Sequence, residues 1–474
     1  MTSNLNQTLQ NKYPNLEISV LKMSEVKENK DFRIDDAFHT IKIFRNPNLE
    51  YKNIGNCLLN SQYGISINMN EDKIGVPIYR MNEIENMICK SEVSKYAEIT
   101  NEEFNTFKLN DGDVLFNRTN SYEFVGRTGI FYKQDKDFAF ASYLVRLVVD
   151  KKIILPEYLT VFLNTKIGQN EIKRRARQSI NQTNVNPEEV KQIKIPIFPL
   201  EFQQQIEQMV RRSHECLEQS KDLYREAEVL LYQELGLNPQ NPLATIAPVS
   251  QSLNFSVRTL KESLHTTGRL DSEYYQQKYD EILRLIKNQS FAKLSDLVDM
   301  QKSIEPGSEA YQENGIPFIR VSNFNKFGIS DTDIFLDFAE FSQTIKPKKE
   351  TILLSKDGSI GTAYCVKDDG DFITSSALLH LNIKNEKSKE ILPEYLTLVL
   401  NSVLVKLQAE RDSGGSIIAH WRINEIEEIL IPILDISIQE KIENLIKQSF
   451  ALRVKANELL QLAKTKVEMA IEQA

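Results

Sequence analysis

Short apolar runs alternate with polar turns through most of this chain, and twice the pattern gives way to a long stretch with helical spacing. DVLFNR (Asp113 to Arg118), GRTGIFYK (Gly126 to Lys133) and SYLVRLVVD (Ser142 to Asp150) have the β-branched and aromatic content of strands and are bounded by turn residues, which predicts an α+β globular domain. LPEYLT, from Leu155, predicts a helix start. Pro156 suits a first helical turn, where its missing N–H leaves no bond unmade, and Tyr158, Leu159 and Phe162 fall on one face. From Ile206 onward, apolar or small residues recur in steps of three and four at Ile206, Met209, Ser213, Cys216, Ser220, Leu223, Ala227 and Leu230. That spacing predicts a heptad seam whose small residues let a second helix approach closely.

The whole pattern is duplicated. ILPEYLT stands at Ile154 to Thr160 and again at Ile391 to Thr397, an offset of about 236 residues that other blocks share in the same order. FRIDDAFHT faces GRLDSEYYQ, so that Arg33, Asp35 and Phe38 correspond to Arg269, Asp271 and Tyr274. VLFNR faces ILLSK, FAFASYLVRL faces FITSSALLHL, and IKIPI faces ILIPI. The second seam reads Ile442, Leu445, Ser449, Leu452, Ala456, Leu459 and Ala463. A seam must be buried against something, and pairing the two long helices with each other, antiparallel, satisfies both at once. A helix of about 30 residues is roughly 45 Å long. Two domains at such a spacing suit two short sites on one face of DNA, whose turn is roughly 34–36 Å.

Composition narrows the class. The chain has 474 residues, is 41% hydrophobic and 26% charged, and carries a formal charge of -8, so any DNA contact must come from local basic surface. It lacks an apolar run of membrane-spanning length, and its polar start does not read as a signal peptide, which points to a cytoplasmic protein with no membrane partner. Cys57, Cys89, Cys216 and Cys365 and the five histidines are dispersed, without the spacing of a disulfide framework or a metal site.

The Arg-x-Asp-x-x-aromatic openings (RIDDAF, RLDSEYY), GDVLFNRT, LPEYL and IPIFPLEFQQQIEQMV, in duplicated order, resemble the specificity subunit of type I restriction-modification systems over nearly the whole chain. The resemblance implies two tandem target recognition domains of α/β type, related by a pseudo-two-fold and separated by two long antiparallel coiled-coil helices. The segments would be residues 1–198 (first recognition domain), 199–236 (central helix), 237–264 (linker), 265–434 (second recognition domain) and 435–474 (C-terminal helix). It further implies that each domain reads half of a bipartite double-stranded DNA target, that two methyltransferase subunits dock on the helices, and that two restriction subunits can join. S-adenosylmethionine would then belong to the methyltransferase, and ATP and Mg to the restriction subunit. This chain is expected to have no cofactor, metal or active site of its own. It contains neither Asn-Pro-Pro-Tyr nor Asp-Pro-Pro-Tyr, no glycine-rich cofactor loop after a strand and no P-loop. Gly126, Gly129 and Gly414-Gly415 read as turn residues, and the Glu171 to Lys173 triplet as part of a charged helix rather than a nuclease site. The alternatives are a two-domain protein-binding adaptor in another phage-defence complex and a specificity subunit of a methylation-only system.

Candidate DNA-binding residues come in corresponding sets. The densest basic segment offers Lys173, Arg174, Arg175 and Arg177, running into Asn181 and Gln182; arginine and lysine suit phosphates, and amides suit adenine. The alternative is a solvated helix face. Its counterpart offers Arg411, Ser413, Ser416, His420 and Arg422, with Trp421 as a packing anchor. Loops leaving matched strands offer Arg118, Asn120 and Arg127 in one copy and Lys356 and Ser359 in the other, where the alternative is an ordinary surface turn. Arg80, and Arg320 with Asn323, form a third set. Arg33 with Asp35, and Arg269 with Asp271, are expected to form structural ion pairs at the domain entrances.

Overall fold

The computed structural model describes residues 2–16, 18, 20–27, 32–180, 182–246, 256–413 and 420–473. They form two compact units, one comprising Met1–Glu218 and Arg453–Ala474, the other Gln219–Leu452.

The first unit is built on a six-stranded sheet. Its order is Leu58–Tyr63, Leu144–Val149, Val114–Asn117, Thr128–Ile130, Ile88–Cys89 and Ile84–Glu85. All four residues of Val114–Asn117 are buried, as befits a strand with neighbours on both edges. The second unit has a four-stranded sheet in the order Val298–Lys302, Leu378–Ile383, Ile352–Ser355 and Ala363–Cys365. These match the first four strands of the first unit one for one, and within each set every neighbouring pair is antiparallel.

The repeated seven letters form helices Pro156–Asn164 and Pro393–Asn401, each with its proline in the first turn. These helices are buried nearly all round rather than on one face, so each polar letter needs a partner. Tyr158 Oη donates to the Pro196 carbonyl at 2.7 Å, and Tyr395 Oη to that of Pro432 at 2.8 Å. The Thr160 and Thr397 hydroxyls donate one turn back, to Pro156 and Pro393. Gln203 and Gln439, each near the start of a long helix, accept from the Leu155 and Leu392 amides. Glu157 accepts from Tyr132 Oη at 3.2 Å and lies 2.9 Å from Arg211; burial nevertheless pushes its carboxyl up. The segment recurs because these interior bonds leave few letters free to change.

The long helices are Leu200–Glu234 and Ile436–Gln473. Within the first unit they run antiparallel: Gln205 pairs with Lys466 at 2.6 Å, and Ser213 with Ala456 at 2.9 Å. Within the second, Ser449 meets Ser220. The seam differs from the expected one. Its fully buried line is Ile206, Val210, Ser213, Cys216, Ser220, Tyr224, Ala227 and Leu231, leaving Met209, Leu223 and Leu230 half-buried on its flank. In the other helix the line is Ile442, Ile446, Ser449, Ala456, Leu460, Ala463, Val467 and Ile471, and Leu445, Leu452 and Leu459 flank it. The small residues fit either order of threes and fours. Each helix also presses on its own globular domain, which widens the apolar stripe to one side and selects the other order.

Candidate nucleic-acid interface

In the first unit, the chain leaves the central strand at Arg118 into a loop pinned by the buried Asn117. The Asn117 carbonyl accepts from the Gly126 amide at 2.8 Å, and its side chain donates to the Phe124 carbonyl at 3.3 Å. Gly126 has φ +89°, and a Cβ there would meet Ile172 at 2.5 Å, so this turn requires glycine. Gly129, by contrast, lies within the strand Thr128–Ile130, where a Cβ would sit 2.8 Å from Ile84; close packing accounts for it, not a turn.

The loop does not stand alone. Thr119–Asn120 pairs with Gln182–Asn184, the second strand of a hairpin whose first strand is Arg177–Ser179. Thr119 Oγ1 bonds Asn184 Oδ1 at 2.6 Å, and the Val185 amide donates to the Arg118 carbonyl at 2.9 Å. Two candidate sets about 60 residues apart in sequence thus form one small three-stranded sheet. Arg177, Gln178, Ser179, Ile180 and Gln182 are exposed on it, and Arg118 and Asn120 are half-buried beside them.

The basic run itself turns inward. It forms the last turn of helix Lys166–Arg175, where positive side chains complement the negative end of the helix dipole. Lys173 Nζ donates to the carbonyls of Tyr122, Glu123 and Val125 in the loop, and desolvation brings it down to about 8. Arg174 lies over the Phe38 ring at 4.2 Å. Arg175 is only 6% exposed and is held by the Glu171 carboxylate and carbonyl. Burial pushes the Glu171 carboxyl up, but the Arg175 and Arg45 guanidiniums outweigh it and hold it below its ordinary value. Arg175 is therefore placed in the core, where its charge neutralises Glu171 out of solvent, and not on the exposed surface expected of a DNA contact. Arg177, just past the helix, is the one that reaches out: its side chain is 53% exposed while bonding Glu189 at 2.8 Å. Arg127 is exposed over the Phe124 ring at 3.9 Å.

The second unit makes the same junction with different side chains. The Trp421 amide donates to the Lys356 carbonyl at 2.9 Å, and Asp357 bridges to His420, with Nδ1 and Oδ1 at 2.8 Å. Trp421 is buried as a packing anchor. Lys356 pairs with Asp357, while Ser359 and Arg422 are exposed. Arg411 is held by Asp412 at 2.6 Å and lies over the Tyr274 ring at 5.2 Å. Ser413 caps helix Val403–Asp412. Asn181 and Ser416 lie outside the described residues, as do Gly414 and Gly415.

Arg80 and Arg320 occupy matching short turns, the Arg80 backbone amide donating to the Glu83 carboxylate and the Arg320 amide to Asn323 Oδ1. Arg80 also donates to Ser94 at 2.9 Å, and Asn323 donates to the Asp331 carbonyl at 3.1 Å, so both turns are internally tied. At the domain entrances, Arg33 grips Asp35 through two bonds of 2.7 Å and Arg269 grips Asp271 through two of 2.6 Å, the expected ion pairs. Each arginine also reaches the end of the corresponding helix, at the carbonyls of Arg175 and Asp412.

Sequence spacing did not point to the exposed tyrosines. Tyr63, Tyr122 and Tyr143 of the first unit are exposed; the Arg118 guanidinium lies 5.2 Å from the Tyr63 ring, and its amide donates to the Tyr143 carbonyl. In the second unit the residue in the place of Tyr143 is Ala377, whose carbonyl accepts from Lys356.

A family model described as "Type I restriction modification DNA specificity domain" matches this chain twice, at residues 52–228 and 287–462. The chain is 33% identical over 144 residues to a putative type I restriction enzyme MjaX specificity subunit of Methanocaldococcus jannaschii, covering 30% of this chain and 34% of that protein. It is 28% identical over 162 residues to the type I restriction enzyme EcoKI specificity subunit of Escherichia coli, covering 34% and 35%. The chain thus spans about a third of the length of each of these two relatives. It is 24% identical over 398 residues to the MjaVIII specificity subunit of M. jannaschii, covering 79% and 80%. Among solved structures, the S subunit of a type I restriction-modification system from M. genitalium is 13% identical, with 90% of this chain and 97% of that one covered at a TM-score of 0.41.

Proposed function

We propose a DNA-reading role from one premise: the chain belongs to the family of the type I restriction modification DNA specificity domain, of which it carries two copies. Each unit reads one half of a bipartite double-stranded DNA target, and the chain itself performs no chemistry. Its long helices dock two methyltransferase subunits, which use S-adenosylmethionine to methylate adenine; restriction subunits, with ATP and Mg, join the same complex in the cytoplasm.

The observation that carries this reading is the repeated junction between the strand-exit loop and the segment before the long helix. Thr183 pairs with Asn120 in one unit, and His420 bridges Asp357 in the other. The framework is common while the side chains presented differ: Arg177, Gln182, Asn120 and three tyrosines in one, Ser359, His420 and Arg422 in the other. A shared frame with different donors and acceptors is what reading two different short sequences requires.

The test is to co-express the chain with a type I methyltransferase subunit with which it copurifies and sequence the methylated DNA of the host. A two-part motif supports the reading, and replacing residues 1–198 with those of a relative should change one half of it only. Both halves changing together, or the absence of any motif from an active complex, overturns it. Copurification with a partner but without sequence-selective DNA binding would favour the adaptor.

A further inference from the structure

The hairpin of the first unit carries an apolar residue that its core does not call for. Strands Arg177–Ser179 and Gln182–Asn184 pair with Ser179 opposite Gln182, and Ile180 directly follows the first of them. Ile180 is β-branched, and it is 100% exposed. It adds nothing to the packing of the unit, and among the described residues of the hairpin no apolar patch surrounds it. Its exposed neighbours are Arg177, Gln178, Ser179 and Gln182, all hydrogen-bonding side chains, and residues 177–184 contain no acidic group.

The hairpin is also firmly based. Its second strand is paired to Thr119–Asn120, and its first strand follows directly on the buried Arg175. A polar, acid-free ribbon with one apolar tip on a fixed base matches DNA better than protein. A protein-docking surface would gather apolar residues around the tip, whereas amides and an arginine flanking a single aliphatic residue match base edges and phosphates flanking a base step.

The geometry points to Ile180 as an apolar wedge that enters the DNA groove and packs against a base step of the half-site read by the first unit, partly unstacking it. This rests on the DNA-reading role proposed above and names a specificity-determining residue for it. The flanking Arg177 and Gln182 hold the ribbon in register, and Ile180 senses how readily the step opens, which favours flexible pyrimidine–purine steps.

The experiment uses the full chain copurified with its methyltransferase and duplexes carrying the methylated motif, with 2-aminopurine placed in turn at each position of the first unit's half-site. The expected result is a several-fold rise in fluorescence at one step on binding. Ile180→Ala and Ile180→Ser abolish the rise and weaken specific binding about tenfold, Ile180→Leu keeps both, and copurification is unchanged. The salt dependence of binding should not move, because no charge is removed. The wedge is overturned if no position brightens, or if Ile180→Ala leaves both signal and affinity as they were. Loss of the methyltransferase on Ile180→Ala would overturn it in favour of a protein contact. Failure of the unsubstituted complex to bind its motif selectively is a separate outcome, and it sinks the DNA-reading proposal itself.

Discussion

Ser213 Oγ donates to the carbonyl of Ala456 at 2.9 Å, and in the other unit Ser449 Oγ donates to the carbonyl of Ser220 at 2.7 Å. With the repeat offset of about 236 residues, Ser449 is the counterpart of Ser213 and Ala456 that of Ser220, so the two bonds are one bond made twice. All four residues are fully buried. A hydroxyl can reach the backbone of a facing helix only where both helices carry small side chains, which explains why serine and alanine hold these places.

Enlarging that contact should therefore hurt more than deleting it. Ser213→Ala removes one buried hydrogen bond, worth about 1 kcal/mol, whereas Ser213→Leu forces the helices apart at a cost of about 1–3 kcal/mol or more. Thermal unfolding should rank them in that order, with Ser449→Ala and Ser449→Leu giving the same ranking. Equal shifts for Ala and Leu would mean that the seam is loosely packed.

The tyrosine of the repeated segment makes a second paired prediction. Tyr158→Phe and Tyr395→Phe each leave a carbonyl, at Pro196 or Pro432, without its buried donor. Each change should cost about 1–2 kcal/mol by chemical denaturation, and the two costs should be similar because each hydroxyl is buried and bonds the matching proline carbonyl. Additivity in the double variant is expected, since the tyrosines share no partner.

These paired sites also show what was legible in the chain. The duplication, the strands around Val114, Thr128 and Leu144, the proline-led helices and the Arg33–Asp35 pair could be read because local chemistry fixes each of them. The seam lies one residue from where the period puts it, beside Met209, Leu223 and Leu230, because period alone does not say on which flank the globular domain presses. Arg175 looked like its exposed neighbour Arg177 because a charge run does not reveal that Glu171, four residues back, is buried and needs a cation. The junction of Asn120 with Thr183 was not legible at all: it is a strand pairing across some 60 residues, between segments of two and three residues.

Acid should loosen the domain entrances. Burial pushes the Asp35 carboxyl up, but bonds and charge from Arg33 outweigh it; for Asp271 the Arg269 hydrogen bond is the leading cause. Both carboxyls are held below their ordinary value of 3.8. A depressed folded-state value means stability that is fully present above pH 3.8 and is lost as pH falls through the lower value in the folded protein. Asp35→Asn and Asp271→Asn should lower the unfolding temperature near neutrality and flatten its fall below pH 4. An unchanged acid limb in both variants would show that these pairs contribute no linkage.

Arg175 and Arg177, two residues apart, should respond in opposite ways to the same substitution. Arg175→Ala leaves the buried Glu171 with Arg45 as its remaining close cation apart from Arg174 at 4.0 Å, so the cost stays below the about 3–5 kcal/mol of a buried charge left wholly unpaired but above that of an exposed pair. The variant should be visibly destabilised, with DNA binding reduced only in proportion to the unfolded fraction. Arg177→Ala removes an exposed guanidinium whose partner Glu189 still has Arg33 at 3.0 Å, so unfolding should shift by less than about 1 kcal/mol. Its effect should appear in DNA binding: weaker association with the cognate duplex and a salt slope smaller by about one, the signature of one lost phosphate contact. Denaturation and salt-titrated binding on the two variants separate a residue that builds the frame from one that the frame presents. A stable Arg175→Ala with a reduced salt slope would reverse their roles.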